Sequence, residues 1–323
     1  MNTRRKLAFA LGAGVLVAPF GSFAQQSRSP VKVGILAVGV PDPAPFLKSF
    51  RERFRELGYV EGQNALLEIR SAEGMPDRLP ALTAGLVAQK VDVIVAFQTP
   101  SAVAAKKATS EIPIVMSPTA DPIAVGLVAS LDRPGGNVTG VSSATAEIGP
   151  KLLELIREIL PGARHIAVLA NANDPFNKSF LHHIQAGART LGVEIRPILL
   201  RTTEELHASF AEMKKARSEA VIVQPSLPLN RAAEVALKQR LPAFAASEGF
   251  PDMGGLMSYS ADLTLIYREA AVLADKIIKG RKPAELPVQM PTVFRLNVNQ
   301  KTAKALGVKI PASILVRADK VIE

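Results

Sequence analysis

The 323-residue chain contains no cysteine and no tryptophan, and it has only 3 tyrosines beside 13 phenylalanines. The missing thiols exclude disulfides, thiol nucleophiles, iron–sulfur clusters, cysteine-type zinc sites and lipid attachment at a lipobox cysteine. No G-x-x-x-x-G-K-[ST] occurs, no G-x-G-x-x-G follows the first strand-like run, and no G-x-S-x-G elbow is present. Nucleotide-driven work, dinucleotide binding and serine hydrolysis thereby lose their sequence signatures. The four histidines, His165, His182, His183 and His207, lack metal-ligand spacing, since adjacent His182 and His183 cannot project to one helix face. No enzyme activity, metal or cofactor is expected.

A membrane-spanning run is missing as well. The apolar stretch from Leu7 to Val17 follows Arg4, Arg5 and Lys6 and is shorter than the ~20 residues that cross a bilayer. Ser22-Phe23-Ala24 then offers the small residues that a signal peptidase needs. Residues 1–24 are expected to be a signal peptide, cleaved near Ala24 and leaving no stable membrane anchor. The Arg4-Arg5 pair fits twin-arginine export or a plain general-secretion signal, and both lead out of the cytoplasm.

The net charge of +10, from 39 basic and 29 acidic residues, invites a nucleic-acid reading. Removing residues 1–24 takes away three positive charges and no negative one, lowering +10 to +7. The densest basic stretches, Lys106-Lys107, Lys214-Lys215 and Lys279 to Lys282, fall at predicted helix ends, where cations complement the carbonyl end of the dipole. No nucleic-acid partner is expected.

What the chain does contain is an alternation of buried-type strands and amphipathic helices. Val31 to Val38 is an apolar run followed by Phe46, Phe50, Phe54 and Leu57 at helical spacing. The cadence continues with a strand near Leu66–Ile69, a helix from Asp77 to Ala88, the strand Val91 to Ala96, a helix from Ser101 to Thr109 and a strand at Ile112 to Met116, where Pro113 fits a strand start or an edge. Pro134-Gly135-Gly136 breaks the pattern before a short strand. It restarts with a helix from Lys151 to Leu160, the strand His165 to Ala170, a helix from about Asp174 to Leu191, a strand through Val193–Leu199, a helix from Thr203 to Lys215 and the strand Ala220 to Val223.

The second half copies the first. Arg55-Glu56-Leu57-Gly58 and Arg189-Thr190-Leu191-Gly192 each close a long helix with a glycine before a strand. A stripe of Leu263, Ile266, Ala270, Leu273 and Ile277 then marks a helix ended by Gly280, where the chain crosses between lobes again. The expected fold class is α/β, with two similar Rossmann-like lobes of parallel strands joined by a multi-crossover hinge. One lobe is assigned residues 30–141 plus about 261–290, the other 142–260 plus about 291–323. Ligands of open parallel sheets sit beyond the carboxyl ends of the strands, so function is sought in the strand-to-helix loops.

Those loops hold small polar residues and helix starts. Gln98, Thr99, Pro100 and Ser101 open a helix whose free N–H groups and hydroxyls suit a carboxylate or simply cap the chain. Ser117, Thr119 and Asp121 follow the next strand, and Asp121-Pro122 starts another helix; Asp121 either receives an ammonium group or caps. The second half supplies Asn171, Asn173, Asp174 and Phe176, then Gln224 and Ser226, then Ser247 and Glu248. Ser142, Ser143, Tyr259 and Ser260 fall near the crossovers as hinge, ligand contacts or neither. Together they form the inventory that clamps a small polar solute.

The stretches RELGYVEGQN (Arg55–Asn64), DPIAVGLVASLDRPGGNVTGVS (Asp121–Ser142), GGLMSYS (Gly254–Ser260) and the tail KTAKALGVKIPASILVRADKVIE (Lys301–Glu323) resemble the ABC transporter substrate-binding protein family that includes tryptophan- and tyrosine-binding members. The resemblance spans about Val31 to Glu323. It implies a type I periplasmic-binding-protein fold, hinge closure on one solute, and delivery to an inner-membrane ABC permease with a separate ATPase. The lack of a lipobox cysteine fits a freely soluble periplasmic protein, and a monomer is expected. Many relatives carry Gly-Thr where this chain has Gln98-Thr99, which leaves the solute less transferable. An amino acid is the leading ligand class, with Thr99–Ser101 on the carboxylate and Asp121 or Glu248 on the amine. Phe46, Phe97 and Phe176 either stack on an aromatic ring or pack in the core. A sensory co-receptor binding the same solute is the alternative role.

Overall fold

The structure, a computed structural model, describes residues 29–39 and 44–323. The expected signal peptide at residues 1–24 lies outside the described residues. The first part of the chain forms β1 (Val31–Ala37), α1 (Ala44–Glu56), β2 (Ala65–Ser71), α2 (Leu79–Ala88), β3 (Val93–Phe97), α3 (Thr99–Ala108), β4 (Ile114–Thr119) and β5 (Val138–Ser142). Its strands make one parallel sheet in the order β2-β1-β3-β4-β5. Every residue of β3 and β5 is buried, as strands covered on both faces require. Phe50 and Phe54 of α1 cover one face, and Leu79, Leu86, Ala102 and Ala105 of α2 and α3 cover the other.

The chain then builds a second unit from α4 (Thr145–Ile159), β6 (His165–Asn171), α5 (Asn177–Leu191), β7 (Glu194–Leu200), α6 (Leu206–Lys215), β8 (Ala220–Val223), α7 (Leu229–Lys238), β9 (Ala243–Ala245) and β10 (Met257–Ala261). Next, α8 (Leu263–Ile278) crosses back, and its stripe of Ile266, Ala270, Leu273 and Ile277 packs with Val33, Val95 and Phe50 of the first lobe. The tail returns as β11 (Phe294–Asn299), α9 (Gln300–Leu306), α10 (Ala312–Arg317) and β12 (Lys320–Ile322). The second sheet has the order β12-β11-β10-β9-β8-β6-β7 and is parallel apart from the β10–β11 pair. That one pair is antiparallel because the helix between its strands packs on the other lobe, so no crossover helix on this sheet sets a parallel return.

The three passages between lobes are hydrogen-bonded to one another. Gln289 N–H donates to the Gly140 carbonyl at 2.8 Å and Ser142 N–H to the Gln289 carbonyl at 2.9 Å. Asp262 caps α8 by accepting Leu265 N–H at 3.1 Å and also accepts Arg295 Nε–H at 2.9 Å, which fastens β10, α8 and β11 at one point. Stability comes mainly from the two sandwiched sheets. A fully buried Phe such as Phe50, Phe210 or Phe244 contributes ~1.5–3 kcal/mol, whereas a solvent-screened surface pair such as Lys238–Glu234 adds little.

Several local expectations shift. Pro113 ends up one residue before β4, a strand start; with β3 and β5 on either side, β4 is not an edge. The helix expected from Lys151 begins at Thr145 and runs through Pro150. Pro150 looks like a first-turn proline in sequence, but it sits against Gly187 of α5, where an added Cβ would lie 2.9 Å from the Pro150 Cα. That close helix crossing holds the longer α4 in place. Asp121-Pro122 opens no helix; the segment folds into turns, with Leu127 N–H donating to the Pro122 carbonyl at 2.8 Å. Residues 174–176 form a turn before α5 rather than its first residues.

Candidate functional site

A cavity of ≈ 170 Å³ lies between the lobes at the carboxyl ends of the strands. For scale, an engineered apolar cavity of about 150 Å³ takes up a benzene ring. The first lobe contributes Gln98, Thr99 and Pro100 from the start of α3, and Pro118 and Ala120 from the end of β4. The second contributes Ser143, Thr145 and Ile148 at the start of α4, Asp174 and Phe176 after β6, Gln224, Pro225 and Ser226 after β8, and Ala246 and Ser247 after β9. Ser260, Ala261, Leu263 and Tyr267 close it at the crossover into α8.

Four features give this cavity its chemistry. The N-termini of α3 and α4 both face it, and neither helix has a side-chain hydrogen bond at its cap, so first-turn N–H groups remain available to an anion. Among the described residues, Asp174 is the one carboxylate lining it, and no lysine or arginine does. Its side chain is nearly buried and fixed: Oδ1 accepts Phe176 N–H and Oδ2 accepts Gln224 Nε2–H, each at 2.9 Å, while Gln224 Oε1 accepts Asn171 N–H at 2.7 Å. Among the described residues, the buried hydroxyls of Ser226 and Ser260 have no hydrogen-bond partner, a costly state that a polar solute would relieve. Pro100, Pro118, Ile148, Phe176 and Leu263 supply the apolar part of the lining.

Of the residues singled out in the sequence, Gln98, Thr99, Pro100, Ser143, Asp174, Phe176, Gln224, Ser226, Ser247 and Ser260 line the cavity. Ser101, Ser117 and Thr119 are buried within the first lobe with unpartnered hydroxyls. Ser142 Oγ accepts Ala144 N–H at 3.1 Å and shapes the entry to α4. Asn171 and Asn173 hold their own loop, with Asn171 Oδ1 accepting Asn173 N–H at 2.9 Å. Tyr259 stacks on Phe294 at 5.7 Å between ring centroids. Phe46 and Phe97 pack on each other at 4.6 Å and on the Tyr267 ring, away from the cavity itself. Ile148, Leu263 and Tyr267 carry no sequence signal for the site, because each also reads as one position in a helix stripe.

Two carboxylates stand just outside. Burial pushes the Glu248 carboxyl up, the Leu263 N–H that it accepts works against this, and the negative charge of Asp262 adds to it. Burial, helped by the charge of Glu248, also pushes the Tyr267 phenol up. Asp121 is drawn in the opposite direction: burial would raise it, but hydrogen bonds from Ser179, the Ala124 amide and His183 outweigh that and hold it below the usual carboxylate range.

One residue lining the cavity, Gln98, has a strained backbone. Lys90, Arg217 and Arg240 take positive φ just past helix ends, where that is ordinary. Gln98 has φ 70 and ψ 155, close to a region that only glycine enters freely. Gln98→Gly should relieve ~1–3 kcal/mol of strain while costing ~1 kcal/mol in added chain entropy. The expected result is a ligand-free Tm raised by about 2–4 °C together with weaker solute binding, because the amide leaves the cavity. A lower Tm would mean that the Gln98 side chain, not its backbone, controls the local energy.

Residues 36–322 match the family described as ABC transporter substrate binding protein. The tyrosine-binding protein of Clostridioides difficile (strain R20291) is 28% identical over 268 residues, covering 81% of this chain and 76% of that relative. An ABC domain from Streptococcus pneumonia, solved in complex with L-Trp, superposes with a TM-score of 0.84 at 26% identity, over 91% of this chain and 100% of that one. The ligand-free, open structure of a substrate binding protein with adhesive properties from Clostridium difficile gives a TM-score of 0.65 at 25% identity, over 90% and 99%. The matched family and these relatives are solute-binding proteins rather than enzymes.

Proposed function

Because the chain belongs to the ABC transporter substrate binding protein family, with the fold of type I periplasmic binding proteins, we propose that it captures an aromatic L-amino acid between its lobes in the periplasm and delivers it to an inner-membrane ABC permease. The carrying observation is the inter-lobe cavity, which joins uncapped helix N-termini, one fixed carboxylate and an apolar lining. The solute's carboxylate takes the N-terminus of α3, with N–H groups and the Thr99 hydroxyl as donors. Asp174 receives the ammonium group; Asp121 and Glu248, the candidates from sequence, do not line the cavity. The ring lies against Pro100, Ile148 and Phe176.

Closure follows from differential affinity, since a solute that touches both lobes favours the arrangement in which both contacts exist. Two comparisons at nearly equal identity support a closed arrangement here: the TM-score is 0.84 with the L-Trp complex and 0.65 with the ligand-free, open structure. The permease reads the closed shape. Export rests on the basic and apolar N-terminus, and among the described residues no helix is long and apolar enough to cross a membrane.

The test is thermal unfolding of protein refolded to strip any bound solute, against amino acids, nucleosides, sugars and small carboxylates. L-tyrosine or L-tryptophan at ~100 times its Kd should add about 2.7 kcal/mol and raise Tm by roughly 5–10 °C. A shift confined to another solute class would overturn the amino-acid assignment.

A further inference from the structure

Outside the cavity, a polar side-chain cluster of Asp121, Ser179 and His183 joins the lobes. Asp121 sits in the turn after β4, with φ 40, and its Oδ1 is fixed by Ala124 N–H at 3.1 Å. Its other oxygen, Oδ2, reaches α5 of the second lobe, where Ser179 Oγ–H donates to it and His183 Nε2 lies at 3.3 Å. Ser179 and His183 stand four residues apart on one helix face, with Oγ and Nε2 separated by 3.2 Å. The same turn is an apolar bridge, since Ala120 and Val125 pack against the core cluster of the second lobe. It is also tied to the solute cavity, because Ala120 N–H donates to the Thr99 Oγ1 at 3.1 Å.

We propose that Asp121, Ser179 and His183 are a closing latch: positioning residues that set solute affinity without touching the solute. This rests on the solute-binding reading above. The cluster is not a hydrolytic set, because Ser179 and Asp121 both meet the same His183 nitrogen, whereas a relay needs the carboxylate on the far one. Its partners lie on different lobes, so the bonds exist only when the lobes are together, and they add to the closed population by their full net value. Apparent affinity scales with that population.

The absence of native cysteine allows clean labelling of Asp77→Cys and Arg231→Cys, exposed positions on opposite lobes, for distance measurement alongside stopped-flow kinetics with L-tyrosine and L-tryptophan. Ser179→Ala is mild in a helix and His183→Ala provides the second probe. Each should speed dissociation by about threefold to tenfold with association little changed, and should reduce the short-distance population. Asp121→Asn combined with Ser179→Ala should lose less than the sum of the two single changes. Dissociation rates and distance distributions equal to wild type would overturn the latch. If neither amino acid binds wild type, the solute reading fails by itself, and ligand-free distances still decide: fewer short distances in Ser179→Ala support the latch, equal distributions overturn it.

Discussion

Asp174→Asn should weaken L-tyrosine and L-tryptophan binding by roughly tenfold to a hundredfold, measured by calorimetric titration, while the ligand-free protein stays folded. The carboxylate is positioned before any solute arrives, by the Phe176 amide on one oxygen and the Gln224 side chain on the other. A charge-assisted bond from an ammonium group adds about 1.5–3 kcal/mol, which is that range of affinity. Asparagine keeps an acceptor for Phe176 N–H, but its amide then faces the Gln224 amide, whose oxygen is already committed to Asn171 N–H. One unmatched buried donor costs ~1–3 kcal/mol, so the ligand-free Tm should also fall by a few degrees. Glu248→Gln is the informative contrast. It does not line the cavity, and burial already biases its carboxyl toward the neutral form, so affinity should change by less than about threefold. A loss confined to Glu248→Gln would place the ammonium group beside Glu248 instead.

The second large effect falls at the hinge and concerns stability. Gly140 in β5 has φ 151, and a Cβ added there would lie 2.1 Å from the Met116 carbonyl oxygen and 2.6 Å from the Met116 nitrogen. Both atoms belong to the backbone of β4, so a rotamer change cannot relieve the clash. The opposite side is blocked too, because the Gly140 carbonyl accepts Gln289 N–H from another passage between the lobes. Gly140→Ala combines overpacking with backbone strain at about 1–3 kcal/mol each, so unfolding free energy should drop by about 3–5 kcal/mol in a denaturant titration. Gly136→Ala is the control, since nothing lies within 4 Å of its added Cβ and its φ is not positive; its change should stay within about 0.5 kcal/mol. Equal stability of the two variants would mean that β5 can slide away from β4.

Sequence patterning captured the elements that carry two-sided burial. The runs at Val31, Val91, His165 and Ala220 became β1, β3, β6 and β8 because a strand covered on both faces must be apolar at nearly every position. Helices with a single apolar stripe, such as α8, were equally legible. The tail was not, since α9, α10 and β12 are three to seven residues long and too short for a period to show. Site residues were legible in location more than in role. A Ser, Thr or Asp after a strand caps a helix or binds a ligand with the same atoms, and the sequence carries no sign of which.

By itself the sequence determined the α/β class, the two repeated lobes and the strand-to-helix loops that the cavity meets, because hydrophobic period follows from local residue choice. Tertiary structure alone decided that Asp174 faces the cavity while Asp121 turns to Ser179 and His183, that Tyr267 closes the site from another passage between the lobes, and that Pro150 lies inside a helix. The physical reason is common to all three: each depends on a neighbour more than thirty residues away in the chain, brought near only when the two sheets and their crossings have packed.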